Sequence, residues 1–394
     1  MGKWTECQLS DIADIQTGPF GSQLHAADYV ESGVPSIMPT NIGNRLEIRT
    51  DSIARIKEAD AQRLVKYLVK ENDLVYSRRG DVEKCAFITG KQAGWLCGTG
   101  CIRVRFTSEE IDPRYCAYYL TTDEIKGWVS GNAVGTTMPN LNSKILQRVP
   151  LTLPPYEEQK AIASVLSSLD DKIDLLHRQN KTFEAMAETL FRQWFVEEAQ
   201  EDWETVRIGD FIRTNISSIN KDTKLKTIRY LDTGSLTEGK IEGFQIFKIN
   251  DAPSRARRIV KHNYVLISTV RPNQKHYGIM KHPDEDIIVS TGFCVITCEK
   301  INPHFIYILL TTNDMTEYLH SIAEASTSAY PSLKPSDIEC LEFKLPPDDR
   351  LNEFSEYADN AWNKIEYNHI QIRTLEKLRD TLLPKLISGE AKVA

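Results

Sequence analysis

No apolar run in these 394 residues approaches the length of a membrane span, and the opening MGKWTECQLS holds no signal-peptide core. The eight cysteines do not pair by spacing into a disulfide framework in a chain this long, so a reducing cytoplasm is the expected setting. There is no phosphate loop of the form GxxxxGKS/T, no glycine-rich loop for a methyl donor and no HExxH pair. Nucleotide hydrolysis, methyl transfer and zinc-dependent hydrolysis each lose their usual foothold, and no cofactor or metal is expected.

The remaining traces of catalytic chemistry are weak. LPPY at Leu153 has the shape of the Asp/Asn-Pro-Pro-Tyr element of amino-methyltransferases, but Leu153 cannot hold an amino group, and the later LPPD at Leu345 lacks the aromatic ring. Glu124-Ile125-Lys126, with Asp112 upstream, has the residue types of a nuclease triad but lies in a helix-like apolar stretch. Cys97/Cys101 and Cys294/Cys298 share a spacing that does not suit structural zinc. Buried cysteines are the simpler reading.

What is present is a repeat with a period of half the chain. WTECQLSDI from Trp4 answers WETVRIGDF from Trp203, and NDLVYS from Asn72 answers NYVLIS from Asn263. GTGCIRV from Gly98 answers STGFCVI from Ser290, and IDPRYCAYYLTTDE from Ile111 answers INPHFIYILLTTND from Ile301. TTMPNLNSKIL from Thr136 answers SAYPSLKPSDI from Ser328, and from there the copies align 192 residues apart without a gap. Each half is therefore a globular segment followed by one long block: 1–152 then 153–198, and 199–345 then 346–394. The globular segments mix short β-rich runs with one apolar helix, PRYCAYYLTTDEIKGWV or PHFIYILLTTNDMTEYL, which reads as an α/β or α+β module.

The blocks read as long helices. Ile162, Leu169, Leu176, Phe183 and Leu190 recur every seven residues, with Val165, Leu166, Ile173, Met186 and Trp194 beside them. The second copy gives Phe354, Ala361, Asn368, Leu375 and Leu382, with Ile365, Ile372 and Leu378. Pro155 or Pro347 precedes the acidic pairs Glu157–Glu158 or Asp348–Asp349, which suit a helix N-terminus. Pro384 should end or kink the second helix, with Gly389 as a later stop. Self-similar halves imply a pseudo-twofold axis. The helices would then pair antiparallel as a coiled-coil-like rod separating the modules, with the chain end returning to Met1. An isolated 1–200 fragment would be expected to pair with itself, with Lys172 and Gln179 as seam residues favouring the native partner.

Binding chemistry is left. The net charge of −7 argues against nucleic acid until it is located: the long blocks carry −4 and −2 of it, and the globular segments are nearly neutral. From Ala252 to Pro283 there is no acid, while Arg255, Arg257, Arg258, Lys261, Arg271, Lys275 and Lys281 all fall there, a pattern that suits phosphate. RPNQKHY offers Arg271, Asn273, Gln274 and Lys275 on one turn, residue types that read base edges in the major groove. The matching turn SRRGDVEKC offers Arg78, Arg79 and Lys84. One scaffold with two different turns looks like a reader of two short sequences. Gly21, Ser22, Gln23 and His25 form a further polar loop, with a structural turn as its alternative. Thr136, Thr137 and Asn140, with their counterparts Ser328, Ala329 and Ser332, form a shared loop that suits backbone positioning.

GPFGSQLHAADYV (Gly18–Val30), TTMPNLNSKILQRVPLTLPPYEEQKAI (Thr136–Ile162) and LRDTLLPKLISGEAKV (Leu378–Val393), in this duplicated layout, resemble the specificity subunits of type I restriction–modification systems. The resemblance covers essentially the whole chain. It implies two target recognition domains reading a split site on double-stranded DNA, and no catalysis in this chain. It implies two methyltransferase subunits docked on the helices, with restriction/translocase subunits reached through them. S-adenosylmethionine would belong to the modification partner, and ATP and magnesium to the restriction partner. The second block departs from the pattern, with DDRLNE where the first has EEQKAI. A non-catalytic scaffold with a coiled-coil hairpin and two protein-binding modules is the alternative from another class. The salt dependence of duplex binding separates the two.

Overall fold

The structure is a computed structural model, and it describes residues 4–50, 52–135, 138–220, 223–326 and 331–393. The chain divides into two compact units, Met1–Asp174 with Arg373–Ala394, and Leu175–Ile372. Each contains one globular segment and part of both long helices.

The globular segments are built alike. Each opens with a short strand that pairs antiparallel with its last strand, Thr5–Gln8 with Pro150–Leu153 and Thr205–Arg207 with Glu342–Lys344. The module thus closes on itself just before the long helix begins. In the first unit a four-stranded sheet runs in the order Ala13–Thr17, Cys101–Phe106, Leu74–Ser77, Cys85–Phe87. The second unit repeats that order with Ile212–Thr214, Phe293–Cys298, Val265–Ser268 and Tyr277–Ile279. Leu74–Ser77 and Val265–Ser268 are buried throughout, as expected of strands with apolar neighbours on both faces. A second four-stranded sheet in each unit contains one parallel pair, Val34–Ile37 with Leu96–Cys97, and Thr227–Leu231 with Ile287–Ser290. The mixed α/β character expected from the sequence is present in both halves.

The single apolar helix expected in each segment is two helices. Pro113–Tyr119 and Asp123–Asn132 are separated at Thr122, and Pro303–Thr311 and Asn313–Glu324 at Thr312. Both threonines adopt extended ψ, and the Thr312 hydroxyl accepts from the Met315 amide, starting a new helix with its own cap. Apolar spacing continues through the break, so periodicity alone does not reveal it.

The long helices span Tyr156–Arg192, continued by a π-turn at Gln193–Glu197, and Asp348–Ile387. Pro384 does not end the second: the helix runs on to Ile387, and Gly389, at a φ of 75°, lies beyond it against the Trp4 ring. The end of the chain thus packs beside its beginning, as the repeat implies.

Pairing is antiparallel in each unit. In the second, Asn180 meets Asn368 while Phe191 and Phe195, further along, meet Phe354, at ring separations of 5.8 and 5.2 Å. In the first, Asp170 meets Arg379, and Ile162 and Leu166 share a core with Leu382 and Leu386. Met186 and Leu378, read into the stripe by spacing, are exposed; Asn180, Ala187 and Arg379 are buried in it instead. Lys172 and Gln179 are also exposed, and so are not seam residues. Gln159 fastens the first helix to its module, donating to the Pro154 and Glu110 carbonyls and accepting from the Asp112 amide. Its counterpart by the repeat is Leu351. In the second unit Asp359 serves instead, accepting from Asn302 and pairing with His304, both at 2.9 Å.

Glu184 lies half-buried on the first long helix, its carboxyl pushed up to about 7 by burial and then by Glu188 and Glu238. Its folded pKa exceeds the ordinary 4.5, so the folded chain holds this proton more tightly than the unfolded chain. The associated stability is complete below 4.5 and fades as pH rises through 7. Glu184→Gln should raise the melting temperature by roughly 2–4 °C at mildly alkaline pH and leave it unchanged at low pH. Equal shifts at both would show that this carboxyl does not govern the effect.

Candidate nucleic-acid interface

In each module the buried central strand leaves the sheet into the turn singled out from sequence, and three backbone hydrogen bonds hold that turn. In the first unit Arg78 N donates to Gly100 O at 2.8 Å, Gly80 N to Pro139 O at 3.2 Å, and Leu141 N to Arg78 O at 2.8 Å. In the second unit Thr269 N donates to Gly292 O at 2.8 Å, Arg271 N to Pro331 O at 3.1 Å, and Leu333 N to Thr269 O at 2.7 Å. The bonds correspond one for one. Isolated bridges Arg79–Asn140 and Val270–Ser332 complete the match.

The shared scaffold therefore carries different side chains. Arg78 is replaced by Thr269, Arg79 by Val270 and Gly80 by Arg271. Gly80 has a φ of 73°, a left-handed conformation natural to glycine, and Arg271 keeps it with a φ of 50°. Lys275, at 55°, closes the turn in the same conformation, with Pro272–Gln274 between them as one tight 3-10 turn. Non-glycine residues held there store strain, which points to use of the turn beyond folding. Asn273 and Gln274 are exposed at its tip, and Arg79 is exposed on the first-unit turn.

The other candidates fall around this belt unevenly. The Arg255 carbonyl accepts from Thr291 N at 2.8 Å, which brings the start of the basic run to the Arg271 turn. Arg257 is the extra residue where the strand Ala256–Ile259 shifts register, and its side chain is exposed. The Arg258 guanidinium is drawn to Ser218 Oγ at 3.1 Å. Lys261 is exposed but lies at the opposite end of Val265–Ser268, beside the turn that carries Lys281. Burial pushes the Lys281 ammonium down to about 8, and it is bonded to Asn263. The acid-free run is thus divided between two ends of the sheet. Lys84 is paired with Asp81 at 2.6 Å, and Lys275 with Glu238 and Asn313.

In the polar loop, Thr99 Oγ1 donates to the Pro19 carbonyl, tying the loop to the belt, and Gly18 lies against Gly98 with no room for a side chain. Gln23 accepts the Tyr67 hydroxyl at 2.6 Å, and exposed His25 opens the short turn Ala26–Asp28. Thr136, Thr137, Ser328, Ala329 and the Ser22 side chain lie outside the described residues. Phe20 and Met138, both more than half exposed, join the belt without having been signalled by any period. Asp112 caps the helix at Pro113, and Glu124 and Lys126 sit on the next helix. All eight cysteines are free thiols, and among the described residues no cluster of His, Cys, Asp or Glu could hold a metal.

Two modules, each with one rigid belt and a different set of exposed donors, suit recognition rather than turnover. The profile of the type I restriction modification DNA specificity domain matches residues 1–185 and again 200–377. The chain belongs to this family. It is accordingly a non-catalytic specificity subunit, whose partners are DNA and a methyltransferase. The type I restriction enzyme MjaIX specificity subunit of Methanocaldococcus jannaschii is 27% identical over 99% of this chain and 94% of its own. The MjaVIII specificity subunit of the same organism is 24% identical over 83% of this chain and 80% of its own. The crystal structure of the S subunit from M. genitalium superposes with a TM-score of 0.60 at 16% identity, covering 98% of this chain and 96% of that one, which shows a common fold.

Arg271→Gly removes the left-handed strain together with the guanidinium. The variant specificity subunit should melt no lower than the parent, while its duplex affinity falls by about 1–3 kcal/mol. Undiminished affinity would mean that the strained arginine serves the fold alone.

Proposed function

We propose that this specificity subunit reads a split DNA site, one half through each globular segment, with 1–152 and 199–345 as the two target recognition domains. The observation that carries the reading is the belt: three equivalent backbone bonds in each module, with Arg78, Arg79 and Gly80 in one and Thr269, Val270 and Arg271 in the other. A conserved frame with exchanged side chains is what two readers of unlike sequences require. Backbone and phosphate contacts set position, and side chains at base edges set sequence.

The remaining candidates take roles by exposure. Asn273 and Gln274 read bases in one half-site, with Arg271 beside them. Arg79 and Asn140 act on the other, with Gln23 and His25 at its margin. Arg255, Arg257 and Arg258 face phosphate, where charge counts more than direction. Lys84, Lys261 and Lys275 rank lower, the first and last because neighbouring carboxylates already hold them.

The helices 153–198 and 346–394 dock the methyltransferase. Because the halves are copies, they offer two related surfaces, which supports two methyltransferase subunits, with restriction/translocase subunits joining through them. Eight free thiols fit the cytoplasm as the compartment, and among the described residues no helix is long and apolar enough to cross a membrane.

In the complex with the methyltransferase, Asn273→Ala with Gln274→Ala should relax sequence preference in one half-site, by about 1–3 kcal/mol per lost bidentate pair, and leave the other half unchanged. Replacing Arg255, Arg257 and Arg258 with Ala should weaken all duplexes alike and flatten the salt dependence. If both half-sites relax together in the first experiment, the division of labour between modules is wrong.

A further inference from the structure

The seam between the long helices buries polar side chains, and they come in matched pairs. In the second unit Asn368 Nδ2 donates to Asn180 Oδ1 at 2.8 Å, and both residues are only 6% exposed. Asn180 Nδ2 has no further partner among the described residues, so this one bond is what the seam provides. In the first unit Arg379 Nη1 donates to Asp170 Oδ1 at 2.7 Å, while the Tyr118 hydroxyl donates to the other Asp170 oxygen.

The repeat makes these pairs asymmetric. The helices are copies 192 residues apart, so Asn368 stands where the first copy has Leu176, and Asn180 is answered by Ile372. Arg379 stands where the first copy has Ala187, and Asp170 is answered by Trp362. Leu176, Ile372, Ala187 and Trp362 are all buried. Neither polar pair therefore has a polar counterpart in the other copy of the repeat.

Now let a first helix meet a second copy of itself in this register. Asn180 then faces Leu176 twice, and each Asp170 faces Ala187. A second helix paired with itself sets Asn368 against Ile372 twice and each Arg379 against Trp362. Asp170 keeps Tyr118 and Arg379 keeps Asp380, so the sharper loss falls on the asparagines, each left in a dry seam without its bond. We infer that the Asn180–Asn368 pair makes the seam selective: the first half of this chain joins a second half carrying Asn opposite Asn180, and not another copy of itself. The apolar stripe drives pairing, and the asparagines decide with what. The self-pairing expected of the isolated first half from its stripe alone is thereby opposed. A buried asparagine in a heptad seam is a known means of fixing partner and register.

The test uses the full chain with a protease site placed in the exposed stretch between Gln200 and Glu201. The folded protein is cut, mixed with an isotopically labelled cut sample, and incubated until labelled and unlabelled halves have exchanged. Native mass spectrometry then counts like and unlike pairs. Like pairs from the parent should lie about tenfold below random redistribution, because each like pair forgoes one buried hydrogen bond worth roughly tenfold. The Asn180→Leu/Asn368→Leu variant, whose seam is apolar at both positions, should form like pairs up to about tenfold more often, close to random redistribution. Random redistribution by the parent, a variant as selective as the parent, or separation of the halves into monomers would each overturn the proposal.

Discussion

Two helices of 37 and 40 residues each carry an apolar stripe that water does not tolerate, and the rest of the structure depends on bringing those stripes together. Each fully buried Leu, Ile or Phe contributes about 1.5–3 kcal/mol to that pairing. Within each unit the stripes meet antiparallel. Each module must then close on itself before its helix begins, and the two-stranded ribbons Thr5–Gln8/Pro150–Leu153 and Thr205–Arg207/Glu342–Lys344 are that closure. The position of Trp4 against Gly389 follows from the same constraint, since the end of the second helix must return to where the first module starts.

Architecture was legible because it is written twice. A chance pattern at Ile162 or Phe354 carries little weight alone, but the same pattern at one offset through two long blocks does. What the repeat could not show was local. Thr122 and Thr312 break helices whose apolar spacing continues, because the break depends on an extended ψ, and at Thr312 on one capping hydroxyl, rather than on period. Pro384 was expected to end or kink the helix, yet the helix continues to Ile387. Met186 and Leu378 have the right spacing and the wrong face, while Asn180 and Arg379 look polar and are buried. Burial along a helix seam follows from the partner helix, which a list of hydrophobic residues does not contain.

The candidate interface was legible in kind but not in detail. The Arg271 turn stood out by composition, but its equivalence to Gly80 rests on a backbone angle that no side-chain pattern reports. The acid-free run looked like one surface and is divided between two ends of a sheet, with Lys281 half-buried in the process. Pairing of Lys84 with Asp81 and of Lys275 with Glu238 was hidden for the same reason. Charge in a sequence is a count, whereas charge on a surface depends on which neighbours have already neutralised it. What persists is a frame repeated bond for bond under unlike side chains. That combination separates what a DNA reader must keep from what it must vary.

One chain with two unlike modules on one repeated frame is proposed here to specify a site in two parts. The most direct measurement is the methylation pattern of genomic DNA with and without this gene. Deletion of the gene should remove one motif, made of two different short defined sequences separated by an undefined spacer of fixed length. Loss of a single uninterrupted motif, or an unaltered pattern in cells that express the methyltransferase partner, would contradict it.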